Sequence, residues 1–502
     1  MNSNVLTSFK NLDWPLLIST SVASILIASA VTTQSKFMFI AVGLLVGLPV
    51  GLVLLRHRYL IFWAILLTSL FNDHAGISIA GLNLRPYSAL TPLAIGGLIL
   101  SMSFDRKNEV CDMVPEMLKR YIPLILLIVS KIVTYITLTD IPAGMSKSFT
   151  LKYIIFSILL IATSFVIATH TANRNRLVKS LQIWIHLGNI VALIAVYQLI
   201  ASNVLGAHYV HHRGVIWFGR PYSVFREPDV LGSFYASIIL MVVPMLVGKY
   251  HLIRRNYLWF TLGLHTIGII TLFVRAAWVA VVVVGAIWLL SLLKVKVLAS
   301  AQSYFHRGLL GSVVAFFLII VLFPSFFTTL SNRFLSLAKP KGEGASEYRM
   351  RELTAMAAKT ASIRNPETLL LGHGDFTWSY WAPVLLGENY DRTAVDAAKK
   401  TGKRLIHAGF CMPLTIFFDN GIIGLFLYLA FLFSIVSRYL KVLPLVNEGD
   451  RILLMSTFLP VIAIVVCFIF SYDPISPFLW VLIGLHMATV YIVQNPTQEV
   501  TL

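Results

Sequence analysis

Apolar residues run along this chain in long blocks, separated by short polar stretches that carry most of the charge. A helix needs about 20 apolar residues to cross a hydrocarbon core. Blocks that meet this length fall at 15–33, 37–55, 59–71, 88–104, 121–139, 151–169, 180–201, 229–248, 257–273, 276–293, 308–323, 409–436, 452–470 and 475–493. The block at 59–71 is short and those at 257–273 and 276–293 nearly touch, so the pattern predicts about 12–14 transmembrane helices. One polar stretch, 324–408, is too long for a connector and predicts a partly helical loop outside the bilayer. The expected fold class is an all-α polytopic membrane protein.

Composition agrees with the pattern. Of 502 residues, 57% are AVILMFWYC, 12% are charged, and the mean hydropathy is +0.80; a soluble domain carries about a quarter charged residues. The net charge of +18 would suggest a nucleic-acid partner in a soluble protein. Here the basic residues gather in alternate loops: Arg56 and Arg58; Arg106, Lys107, Lys119 and Arg120; Arg174, Arg176 and Lys179; Lys249, Arg254 and Arg255; Lys294, Lys296 and Arg307; Arg438, Lys441 and Arg451. The positive-inside rule then puts both termini in the cytoplasm and 324–408 outside, with the bilayer as partner and no nucleic acid. Ala28-Ser29-Ala30 has the form of a cleavage site, but Lys10 is balanced by Asp13 and the apolar run is long, so an uncleaved first helix is expected. Cys111, Cys411 and Cys467 lie far apart and predict neither a disulfide framework nor a zinc site.

Candidate chemistry is concentrated on the outer loops. The segment 202–228 carries Arg213, Arg220 and Arg226 against the charge trend, together with Glu227, and Asp229 follows it directly. Arginine's planar fork suits phosphate; pairing with the two carboxylates or with headgroups is the plainer alternative. Arg275 lies between two apolar runs at the same boundary, where an ionisable residue is a functional candidate and snorkelling its alternative. From Ala345 to Ser362 an amphipathic helix is expected near the membrane surface. GHGDFTWSYW at 372–381 is rich in aromatics suited to sugar faces and includes His373, and KKTGKRLIHAGF brings His407 to the next helix as a candidate proton acceptor. His208, His211 and His212 lack a carboxylate at useful spacing, so no metal is assigned. Lys131, Asp419 and Asp473 lie within or beside apolar spans and each require a partner or a polar cavity. Gly421 and Gly424 suggest a close or irregular helix contact.

Four segments, GRPYSVFREPDVLGSFYA at 219–236, LFVRAAWVAVVVV at 272–284, LLLGHGDF at 369–376 and IHAGFCMPLTIFFDNGIIGLFLYL at 406–429, together resemble the O-antigen ligase and polymerase superfamily in order and spacing. The resemblance implies a GT-C-like fold. It divides the chain into N-terminal membrane helices (1–201), a core region (202–323), a long periplasmic loop (324–408) and C-terminal membrane helices (409–502). Arg220, Arg275 and His407 occupy the places of the family's two arginines and its histidine. The chain departs from the family at Arg226-Glu227-Pro228-Asp229, where ligases tend to have Gly-Asn-Pro-Asn, at Ala408 in place of Asn, and at Asp419 in place of Glu. The Glu-Pro variant is more similar to the exopolysaccharide polymerases.

The resemblance implies an enzyme of the bacterial cytoplasmic membrane, without cofactor, facing the periplasm. Its donor would be an undecaprenyl-pyrophosphate-linked glycan and its acceptor a glycan or lipid-linked glycan. Arg220 and Arg275 would neutralise the leaving pyrophosphate and His407 would take the acceptor proton, inverting the anomeric centre; Arg213, Arg226, Glu227, Asp229, His373 and Asp419 would bind pyrophosphate or glycan. A chain-length regulator and a flippase are the expected partners. Ligation onto a lipid A core is the alternative reaction. A flippase for lipid-linked oligosaccharide, suited by charges such as Lys131 and Asp473, is the alternative of another class; a scaffold for an export complex would leave the outer arginines unexplained.

Overall fold

The computed structural model describes residues 58–70, 77–79, 82–84, 86–104, 109–138, 147–203, 209–210, 213–214, 221–225, 227–248, 252–272, 274–294, 356, 366–375, 377–386, 411–470 and 476–495. Its elements in chain order are α1 (Arg58–Leu70), a hairpin of β1 (Ile77–Ile79) and β2 (Leu82–Leu84), α2 (Pro86–Phe104), α3 (Glu109–Arg120), α4 (Ile122–Thr137), α5 (Lys147–His170) and α6 (Arg174–Asn203). A second hairpin, β3 (Tyr209–Val210) with β4 (Arg213–Gly214), precedes α7 (Pro228–Val247), α8 (Arg255–Leu272) and α9 (Arg275–Lys294). The remainder is α10 (Pro366–Leu371), α11 (Trp378–Leu386), α12 (Met412–Val442), α13 (Glu448–Phe470) and α14 (Pro477–Gln494). Both hairpins are antiparallel, with Ile77 opposite Leu84 and Tyr209 opposite Gly214.

This is an all-α polytopic membrane protein. Six helical segments among the described residues are long and apolar enough to cross a bilayer, and a seventh if α3 and α4, bent by 59°, count as one. The stretches expected at 15–33, 37–55 and 308–323 lie outside the described residues, as does the amphipathic helix expected at 345–362 apart from Met356; the other apolar stretches each fall on a helix. The two that nearly touch, at 257–273 and 276–293, form separate helices, α8 and α9.

Burial separates a central set from a lipid-facing set. The apolar windows of α7, α13 and α14 are 89%, 83% and 89% buried, against 39%, 44% and 33% for α5, α6 and α12. The outer helices expose Ile136, Ile190, Phe426 and Phe433, the side chains a hydrocarbon solvent accepts at no cost. A largely aliphatic and aromatic core lies between the helices, and small and polar groups add close contacts within it: the Thr91 and Thr163 hydroxyls meet at 2.7 Å, the Tyr121 and Ser164 hydroxyls at 2.8 Å, and Gly484 sits against Ser164 and Ile167.

One end of the bundle is organised by Arg120, which is 2% exposed. It donates to Glu116, to Gln494 at 2.9 Å and to the Met487 carbonyl at 3.4 Å, and stands over the Tyr491 ring. These bonds tie the bend between α3 and α4 to the last turns of α14. Asn173 caps α6, and Asn447 both accepts from the Asp450 amide and donates to its carboxylate at the start of α13. Alternation along the chain sends the ends of α4 and α6, the starts of α5, α7, α9 and α14 and the end of α13 to the opposite face. That face carries the segments singled out in the sequence.

Candidate functional site

At the face opposite Arg120 two buried stretches among the described residues leave regular helix. The first place is the turn Pro221–Phe225 before α7. All five residues are buried, and Ser223 has φ of +53°, a left-handed conformation that costs a non-glycine residue about 1–2 kcal/mol. The turn closes by a bond from the Phe225 amide to the Tyr222 carbonyl at 2.9 Å, and Phe225 packs on Phe234 and on Phe478 of α14. Gln198, wholly buried on α6, holds its backbone on both sides. Glu227 is the N-cap residue of α7, Pro228 takes the first helical position, where proline's missing N–H is harmless, and Asp229 lies in the first turn, where the helix dipole favours a carboxylate. Gly232, one turn further, leaves room for Val274: a Cβ at Gly232 would stand 2.9 Å from the Val274 side chain. That contact seats the start of α9, and with it Arg275, beside the first turns of α7.

The second place is a helix break. Residues 412–442 are helical except at Gly421, whose φ of +65° and ψ of −168° end one helix and begin another. In a straight helix residues 412 and 428 would stand about 24 Å apart. The Tyr428 hydroxyl donates to Met412 Sδ at 3.4 Å, which the two side chains reach only if their Cα atoms lie within about 14 Å. The arm 412–420 therefore folds back on the arm after the break. The second arm, about 31 Å long at 1.5 Å per residue, is enough to span the core alone; the nine-residue first arm is re-entrant. The single helix expected at 409–436 is thus sharply bent at Gly421.

The loop between α10 and α11 plugs this break. The amides of His373 and Gly374 donate to the Phe418 and Asp419 carbonyls at 3.0 and 2.8 Å, capping the C-terminus of the re-entrant arm. Glycines make the fit: a Cβ at Gly372, φ +80°, would stand 2.4 Å from the Asp419 carbonyl, and one at Gly421 would stand 2.2 Å from the Leu370 oxygen. Thr134 of α4 donates to the Leu371 carbonyl at 2.7 Å, and Thr377 to the carbonyls of His373 and Gly374.

Beneath the loop Lys131 meets its partner. Its Nζ lies 2.6 Å from Asp375 Oδ2 and 3.0 Å from Ser157 Oγ, while Asn420, the last residue before the break, donates to Asp375 Oδ1 at 3.1 Å. The side chains of Lys131 and Asp375 are 12% and 4% exposed. A charge on a membrane helix is tolerated when paired in this way.

The sequence-derived candidates divide accordingly. Arg220, Arg226, His407 and Asp473 lie outside the described residues, and Arg213 is described through the backbone of β4 alone, paired with Val210. Glu227 and Asp229 stand at the start of α7, and Arg275 follows Val274, which packs on Gly232 of the same helix. Asp419 and His373 come together at the break, both buried. His373, on the connecting loop, stacks on Phe418 at 4.6 Å, meets Trp381 edge-on at 5.0 Å and bonds the Phe418 carbonyl through Nδ1 at 3.3 Å. Burial pushes its pKa down to about 4, opposed by that carbonyl bond, so it stands neutral as a packing group. Gln198, Asp375 and Asn420 were not singled out from sequence. Among the described residues no group of three or more His, Cys, Asp or Glu side chains is placed to hold a metal ion.

Comparison of the chain with models of known protein families and with curated proteins gives no match. The likeness to the O-antigen ligase and polymerase superfamily stands on its motifs alone.

Proposed function

We propose that the protein is an inverting, metal-independent glycosyltransferase of the bacterial cytoplasmic membrane. It would transfer an undecaprenyl-pyrophosphate-linked glycan to a sugar hydroxyl on the periplasmic face, as a polymerase of exopolysaccharide or O-antigen within a GT-C-like fold. One observation carries the reading. The segments that resemble the superfamily include two places among the described residues where buried backbone departs from helix, at Ser223 and at Gly372–Gly421. Irregular backbone at membrane depth is tolerated only where protein encloses it or a cavity runs beside it, and helix breaks are where membrane proteins build polar substrate sites.

The chemistry follows from the charges. As the acceptor oxygen attacks the anomeric carbon, the bond to pyrophosphate breaks and negative charge develops on the leaving group. Arg220 and Arg275, with Arg213 or Arg226, neutralise it through paired N–H donors. His407, four residues before Cys411 and the re-entrant arm, takes the acceptor proton, a role worth about 10²–10⁴-fold. Attack opposite the leaving group inverts the centre.

A second reading, a flippase for the same lipid, is favoured by the buried Lys131–Asp375 pair beside a broken helix. Purified protein supplied with lipid-linked repeat units in detergent separates the two. Elongated glycan, lost in His407→Ala and in Arg275→Lys, supports the transferase; transbilayer movement in vesicles without elongation supports the flippase. In a deletion strain, loss of polymer marks a polymerase, whereas lipid-linked polymer accumulating beside bare core marks a ligase.

A further inference from the structure

We propose that Gln198 and Ser223 are positioning residues that clamp the turn between Arg220 and Arg226 into one conformation for the transfer reaction; this rests on the transferase reading. Gln198 Oε1 accepts from the amides of Tyr222 at 3.1 Å and Ser223 at 2.7 Å, and its Nε2 donates to the Ser223 carbonyl at 3.1 Å. One side chain thus does for the turn what a neighbouring strand does for an edge. Ser223 adds a second tie to the same helix, its hydroxyl donating to the Val191 carbonyl two turns earlier on α6 at 2.6 Å.

The cost of this arrangement argues for a purpose beyond closing a loop. A glycine at 223 would adopt φ +53° freely, yet serine stands there and its hydroxyl is used. Strained backbone persists where its surroundings fix it, and it clusters at functional sites. Here the surroundings are a fully buried glutamine and the aromatic contacts of Phe225. In sequence, Arg220 immediately precedes the held turn and Arg226 immediately follows it. Downstream the turn runs into α7, against whose Gly232 the Val274–Arg275 junction is packed. The clamp therefore fixes the turn whose sequence neighbours are Arg220 and Arg226, on the chain that leads into the helix packed against the start of α9. A misplacement of about 1 Å in a reacting constellation costs on the order of 10²-fold.

The experiment compares Gln198→Met, which keeps length and removes all three bonds, with Gln198→Glu, which keeps the acceptor and loses the donor, and with Ser223→Gly, which keeps the positive φ and loses the hydroxyl. Elongation of lipid-linked repeat units is measured alongside thermal midpoint, and thiol labelling is followed at Val224→Cys, a position 6% exposed. Expected are a fall in kcat of roughly 10²-fold for Gln198→Met, a smaller fall for the other two, midpoints within a few degrees of wild type, and labelling faster by about 10²-fold in the Gln198→Met background. Activity lost only in step with the folded fraction, or labelling unchanged by Gln198→Met, overturns the proposal. A wild type that makes no product removes the transferase reading, while the labelling arm still decides whether Gln198 holds the turn.

Discussion

Removing one charge from the Lys131–Asp375 pair should open the loop that caps the re-entrant arm. In Lys131→Met the Asp375 carboxylate, 4% exposed, keeps the Asn420 amide at 3.1 Å and loses its cation. Breaking a buried pair by deleting one partner costs about 3–5 kcal/mol, whereas replacing both by apolar groups is close to neutral. Two amides report the opening directly, His373 and Gly374, bonded to the Phe418 and Asp419 carbonyls. A loss of about 3 kcal/mol, at 1.4 kcal/mol per factor of ten, raises the open fraction by roughly two orders of magnitude. Hydrogen exchange of the peptide covering 372–377 in detergent should therefore quicken by about 10²-fold in Lys131→Met and in Asp375→Leu, and return to within tenfold of wild type in the double variant. Exchange within about threefold of wild type in both single variants would refute the claim that this pair fastens the loop.

Other perturbations test the remaining geometry. Gly421→Ala and Gly372→Ala each place a Cβ within 2.4 Å of backbone at positive φ and should lower stability by about 2–4 kcal/mol, seen as a drop in thermal midpoint or in folded yield. Arg120→Met leaves the 2%-exposed guanidinium site without its bonds to Gln494 and the Met487 carbonyl; it should cost about 3 kcal/mol and quicken proteolysis of α3. Because His373 is held near pKa 4 when folded and titrates near 6.5 when unfolded, the unfolded chain binds the extra proton between those values, so stability falls as pH drops from 6.5 to 4. His373→Phe, which keeps the stack on Phe418, should show a weaker decline over that window; equal declines would remove His373 as a source.

The sequence showed where helices run because lipid demands long apolar blocks, and block length survives any packing detail. It also showed that Lys131 needed a partner, but that partner, Asp375, lies 244 residues away, and no local pattern encodes a pairing across that distance. Gly421 and Gly424 marked an irregularity; its extent, a sharp bend within an expected span, depends on Leu370 occupying the space a side chain at 421 would fill. Gln198 was invisible because a single glutamine in an apolar run reads as one helical position, and its role exists only once residues 222 and 223 fold against it. The stack of His373 on Phe418 was not legible, because the two lie 45 residues apart and meet only once the loop docks on the break. Arg275 stood out in the sequence because a charge between two apolar runs is costly.

The claim on which the functional account turns is that the two buried irregular segments border the glycan donor. Photolabelling tests it most directly, using an undecaprenyl-pyrophosphate-linked saccharide that bears a diazirine on the sugar nearest the diphosphate, followed by peptide mapping. The account predicts label on peptides covering 221–229 and 411–421, competed away by unlabelled donor. Label spread over the lipid-facing surfaces of α5, α6 and the second arm of α12, and unaffected by competitor, would contradict it.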